Sequence, residues 1–282
     1  MELSVALIVL VAALLHATWN AMVKSGKDHL LSITGLNLAA GLIALPLLLF
    51  VGLPEVDSWP YLFASVVLHS MYYVALSAAY KYGDFSQAYP VARGTAPVLV
   101  TLWGVLVLNE MLNGIEVVSL IGVLTGILIF ATKGFRRVMQ DHQALVSALV
   151  TSMFIGGYTI ADGIGGRLSE NVPAYMVWLS VLDCIPILLY TIFKRGIAEV
   201  ISIGHKWKIF LLGASLALAS YSLVVWSMTQ APIPLVSAVR ETSIIIAALI
   251  GAFYFKEPSG KRRIMASIVI FCSIALLAVD GF

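Results

Sequence analysis

ARGTAPVLVTLWGVLVLNE, residues 92–110, and VRETSIIIAALIGAFYFKE, residues 239–257, are the two stretches that decide the fold. At a constant offset of 147 residues Arg93 meets Arg240, Thr95 meets Thr242, Leu102 meets Leu249, Gly104 meets Gly251 and Glu110 meets Glu257, with no gap. Apolar helices match at Leu and Gly through composition alone. Matched Arg, Thr and Glu mark an internal repeat. The rest of the two copies matches less closely, with HATWN at 16–20 opposite GYTIA at 157–161. The repeat divides the chain into one unit at 1–134 and a second at 144–282.

Both copies are embedded in a very apolar chain. Its 282 residues are 60% hydrophobic and 11% charged, with mean hydropathy +0.97. Soluble domains are roughly 25% charged, so this chain has too little polar surface to face water and is read as dissolved in lipid. A net charge of +2 gives no argument for nucleic acid. Cys184 and Cys272 each lie inside an apolar run, which suits core or lipid-facing positions better than a disulfide or a metal site. The run from Leu3 to Val23 is not read as a signal peptide: Glu2 precedes it, Lys and Arg do not, and His16, Trp19 and Asn20 interrupt it.

Spans are expected near 3–23, 30–51, 58–80, 86–108, 113–132, 144–165, 173–194, 207–227, 233–255 and 261–280. Each holds about 20 residues, or roughly 30 Å of helix, the thickness of a hydrocarbon core. Five glycines (Gly156, Gly157, Gly163, Gly165 and Gly166) make the sixth the least regular. Positive charge then orients the chain. Lys24, Lys27, Lys81, Lys133, Arg136, Arg137, Lys194, Arg195, Lys206, Lys208, Lys256, Lys261, Arg262 and Arg263 all fall in odd-numbered connections, and Arg167 alone falls in an even one. The positive-inside rule puts the odd connections in the cytoplasm and both termini outside. Two units of five spans must point in opposite directions, which gives an all-α membrane protein of about ten helices in two inverted repeats. Secondary transporters are often built this way, with the substrate site between the halves.

HATWNAMVKSG at 16–26, RGTAP at 93–97, RETS at 240–243 and the two span-ending glutamates resemble the drug/metabolite transporter superfamily, in its EamA-domain branch. The resemblance covers essentially the whole chain as two copies. It implies ten helices, a central cavity, and export or exchange of amino acids or other small metabolites. The buried arginines depart from what many drug-exporting relatives need, and they argue against a cationic drug.

Several residues are candidates for the site. Arginine in a bilayer is costly, and Arg93 and Arg240 suit the forked binding of a carboxylate or phosphate. Snorkelling or a structural ion pair are the other readings, Arg93 lying toward the inner and Arg240 toward the outer side. Glu241 is adjacent to Arg240 but about 100° away on a helix, so a partner must come from another span. His16, Trp19 and Asn20 share a helical face and read as a cavity wall, with Tyr73 and Trp226 as further wall candidates. Asp183 and Asp162 are intramembrane carboxylates able to couple transport to protons, Asp162 having Arg167 as an alternative partner. Glu110 and Glu257 end their helices and read as caps for the helices that follow them.

No Walker A, HExxH or GxSxG motif and no Cys/His cluster occurs. The expectation is therefore a secondary transporter without cofactor, metal or enzymatic activity, in the inner or plasma membrane. It would move a small acidic metabolite as exporter or exchanger by alternating access, with a co- or counter-transported proton, and could act as a monomer. A flippase for a lipid-linked or amphipathic substrate is the alternative, an intramembrane enzyme a weaker one.

Overall fold

The computed structural model describes residues 1–24, 28–82, 85–138, 142–246 and 261–280, and all regular structure among them is helical. The helices are α1 (Leu3–Lys24), α2 (His29–Val51), α3 (Trp59–Tyr82), α4 (Phe85–Leu106), α5 (Gly114–Val138), α6 (His142–Leu168) and α7 (Val172–Arg195). A short α8 (Ile197–Ser202) and a 3₁₀ turn lead into α9 (Trp207–Gln230), followed by α10 (Ile233–Arg240). Residues 243–246 form a helical turn, α11, and α12 (Lys261–Asp280) is the last described helix. Four helical segments, Leu3–Asn20, Leu30–Val51, Val172–Arg195 and Ile197–Gln230, are long and apolar enough to cross a membrane. Leu49, Phe50 and Phe193 are among the large apolar side chains left outside the bundle, which is stable packing only against lipid or another apolar surface.

Helix packing follows the repeat. Exchanging α1 with α6, α2 with α7, α3 with α9, α4 with α10 and α5 with α12 maps much of the packing onto itself, although α4 on α5 and α6 on α9 have no counterpart among the described residues. Thus α1 on α9 answers α6 on α3, and α2·α7, α5·α12 and α4·α10 are their own images. The connections also sort into two ends. At one, Glu55 N–H donates to the Ser169 carbonyl, Trp178 Nε1 to the Gly52 carbonyl and Arg167 to the Ala231 carbonyl. At the other, Arg195 pairs with Asp28 at 2.9 Å.

Local signals account for the helix starts. Asp28 and Asn171 cap α2 and α7, the second helix of each copy, by accepting from Leu31 N–H and Ala174 N–H. Asn113 and Glu116 form a reciprocal capping box at α5. The glycines of α6 do not break it; they admit close neighbours. A Cβ at Gly163 would stand 2.5 Å from Ile233 Cδ1, and one at Gly165 2.6 Å from the Tyr175 ring.

The ninth span differs from the expected continuous helix. α10 stops at Arg240, and the backbone tightens to i→i−3 bonds, with Glu241 N–H on Ala238, Thr242 N–H on Val239 and Ile245 N–H on Thr242. The Thr242 hydroxyl also bonds the Val239 carbonyl, at 2.7 Å.

Candidate functional site

The tight turn after α10 redirects two consecutive charged side chains. Glu241 meets Arg93 of α4 as a fork, Nε to Oε2 at 2.9 Å and the terminal nitrogen to Oε1 at 2.8 Å. Both groups are almost wholly inaccessible, at 1% and 2% exposure. Bidentate, charge-assisted geometry of this kind is what makes a buried pair tolerable. One of the readings left open for Arg93, the structural ion pair, is therefore present.

Arg240 is also buried, with its guanidinium 5.1 Å from the centre of the Tyr221 ring. Such a contact is worth about 0.5–2 kcal/mol, well short of a paired carboxylate. Asp162 and Glu241 lie within electrostatic range of Arg240, yet both are committed elsewhere. Among the described residues none accepts a hydrogen bond from the Arg240 guanidinium. Arg93 and Arg240 are both charged neighbours of His16.

Asp162 has no contact with Arg167, contrary to the pairing considered from sequence. It accepts hydrogen bonds from Tyr175 Oη at 2.9 Å and from Tyr221 Oη, and Gly165 makes the room that lets Tyr175 approach α6. Tyr221 thus touches Arg240 with its ring face and Asp162 with its hydroxyl. Beside it His69 stacks on Tyr158 at 4.0 Å and stands edge-on to Tyr221 at 5.7 Å. Ser65 contacts His69 Nδ1 at 3.2 Å.

Tyr73 continues this aromatic wall, its ring 6.2 Å from His69. Its hydroxyl reaches Asn37 Oδ1 at 3.1 Å and Asp183 Oδ2 at 3.3 Å. On α1, His16 Nε2 and Trp19 Nε1 are buried without a hydrogen-bond partner among the described residues, and the two rings meet edge-on at 5.0 Å. Asn20 Nδ2 bonds back to the His16 carbonyl at 3.0 Å. Trp226 stands apart: it is 38% exposed, and among the described residues no ring contact or side-chain hydrogen bond joins its indole to the cluster. Asn37, Ser65, Tyr158 and Tyr175 belong to the cluster without having been singled out for it from sequence.

Glu110 is a cap, though not of the helix that follows it. Oε2 accepts from Ile233 N–H of α10 at 2.9 Å, and Oε1 pairs with Arg167 at 2.7 Å. The start of α5 is already satisfied by its own capping box. Glu257 lies outside the described residues.

A bundle with an apolar exterior, a two-copy packing pattern and buried charges gathered between the copies defines a multi-pass membrane transporter. The chain matches the EamA-like transporter family over residues 3–132 and again over 142–279, and it belongs to that family, the EamA-domain branch of the drug/metabolite transporters. A crystal structure of a protein 17% identical in sequence superimposes with a TM-score of 0.78, covering 100% of this chain and 99% of that one. That likeness concerns the fold.

Proposed function

We propose that this protein is a secondary transporter for a small metabolite bearing an acidic group, an amino acid or a small organic or phosphorus-containing acid. Ten spans in two inverted five-helix repeats, 1–134 and 144–282, would enclose the site, and it would work by alternating access as exporter or exchanger. The sorting of connections into two ends supports such alternate crossing, and the lysine and arginine distribution supports termini outside the inner or plasma membrane.

One observation carries the substrate class. Arg93 and Arg240 are repeat equivalents, but among the described residues only Arg93 has a carboxylate fork. The residue equivalent to Glu241 in the first copy is Gly94. Arg240 is therefore a buried guanidinium lacking the counter-ion its twin has, among aromatic side chains, and a substrate carboxylate or phosphate supplies it. His16, Trp19, Asn20 and Tyr73 would line the same space; Trp226 would take part only from its edge, and Arg93 through Glu241.

The test is flux of a metabolite panel in proteoliposomes. Acidic compounds should move. Arg240→Lys keeps the charge and loses the planar fork. It should weaken binding roughly 10- to 100-fold, the equivalent of the ~1.5–3 kcal/mol of a hydrogen bond to a charged group, while the protein stays monodisperse in detergent. Transport confined to permanently cationic hydrophobic compounds would overturn the reading.

A further inference from the structure

Asn37, Tyr73 and Asp183 form a hydrogen-bond chain from α2 through α3 to α7. The Asn37 amide has a fixed orientation, because Nδ2 donates to the Ile33 carbonyl at 2.9 Å. The flipped amide would set two oxygens at that distance. Asn37 therefore presents Oδ1, an acceptor, to Tyr73.

A phenol has one hydrogen. Between an amide oxygen and an ionised carboxylate, Tyr73 satisfies one and leaves the other against a bare oxygen. With a proton on Asp183 Oδ2 the conflict disappears: the carboxyl donates to Tyr73, Tyr73 donates to Asn37, and each contact has its hydrogen. A second observation agrees. Asp183 Oδ1 is buried with no hydrogen-bond partner among the described residues. Buried ionised oxygens collect several donors, whereas the carbonyl oxygen of a neutral acid tolerates few. Asp162 is the contrast, since each tyrosine hydroxyl that reaches it has no second acceptor among the described residues.

The groups facing Asp183 supply no cation. Of the helices packed on α7, α3 brings Tyr73, α6 brings Asp162, and α2 brings the uncharged Asn37. On α9 Tyr221 is engaged with Asp162, Glu199 of α8 is exposed, and Cys184 is adjacent on α7 itself. No Lys, Arg or His among the described residues faces the carboxyl.

We infer that Asp183 is a proton-binding site, loaded in this conformation and positioned by Tyr73 and Asn37, which exchanges one proton with the aqueous phase per transport cycle. The stack from Tyr73 through His69 to Tyr158 and Tyr221 joins it to the Arg240 site. The bound proton stands on hydrogen counting; its use in a cycle rests on the transporter reading above.

Infrared difference spectroscopy of the full chain in liposomes at neutral pH tests the site with the proton alone as ligand. The wild-type minus Asp183→Asn spectrum should contain the C=O stretch of a protonated carboxyl, shifted in ²H₂O. Asp162→Asn should retain that band. Tyr73→Phe keeps Asp183 and frees its carboxyl from the phenol, so the band should move to higher frequency; this variant decides the matter if Asp183→Asn fails to fold. No protonated-carboxyl band assignable to position 183, its loss in Asp162→Asn, or a band unmoved in Tyr73→Phe would overturn the assignment. No substrate is used, so such a failure leaves the acidic-substrate reading standing.

Discussion

Arg93 and Arg240 are the same side chain at equivalent places in the two copies, yet their surroundings are opposite in character. Arg93 is neutralised within hydrogen-bond distance; Arg240 rests on the face of Tyr221. The difference traces to one position, glutamate at 241 and glycine at 94. Removing one partner of a buried pair leaves an uncompensated charge and costs about 3–5 kcal/mol. Glu241→Gln should therefore lower thermal stability in detergent sharply. Replacing both partners with apolar residues, Arg93→Met with Glu241→Leu, should recover most of the loss. If the double variant were no more stable than Glu241→Gln, the pair would be needed for more than charge compensation. Arg240→Lys should leave stability nearly unchanged, because no fork among the described residues depends on it.

The element that turns this asymmetry into geometry is the short helix α10. Its N-terminus is held from the other copy: Glu110 takes the Ile233 N–H, and Arg167 ties Glu110 to the Met228 and Ala231 carbonyls. Its C-terminus ends in the tight turn at Glu241. A carboxylate at a helix N-terminus is worth roughly 0.5–2 kcal/mol, so Glu110→Ala should destabilise by about that much. Arg167→Met should do the same, and the two should combine to less than their sum, since they share one network. Full additivity in thermal melts would mean that Arg167 and Glu110 act separately. At the other contact of α10, Gly163→Leu should cost about 1–3 kcal/mol through overpacking against Ile233, and Ile233→Ala should relieve it. Most of these elements were legible in the sequence from length and hydropathy alone. The break at 241–242 was not: Glu and Thr read there as ordinary helix, and the carboxylate it redirects is paired with an arginine on a different helix. The Asn113–Glu116 box was legible as N-x-x-E, and reading it would have released Glu110 from the helix it precedes. Glycines in α6 lower propensity, but propensity is overridden where a neighbouring side chain occupies the missing Cβ.

For the whole molecule, two independent observations bear on which way the chain crosses the membrane. The first is charge: fourteen of the fifteen Lys and Arg residues assigned to connections fall in odd-numbered ones. The second is contact: the connections after α2, α4, α6 and α9 meet one another through Glu55, Glu110, Arg167 and Ala231, whereas that after α1 meets that after α7 through Asp28 and Arg195. Charge alone would survive a miscounted pair of spans, and contact alone says nothing of which end is cytoplasmic. Together they predict that the 133–143 connection faces the cytoplasm and the 52–58 connection the opposite side. In a chain freed of Cys184 and Cys272, a cysteine introduced at Val138 should react with an impermeant maleimide only in inside-out vesicles. One introduced at Glu55 should react only from outside intact cells. Labelling at position 138 from outside would reverse the orientation. Labelling of both positions from the same side would be more damaging, because the crossings between them would then be even in number and the two copies could not be inverted images of each other.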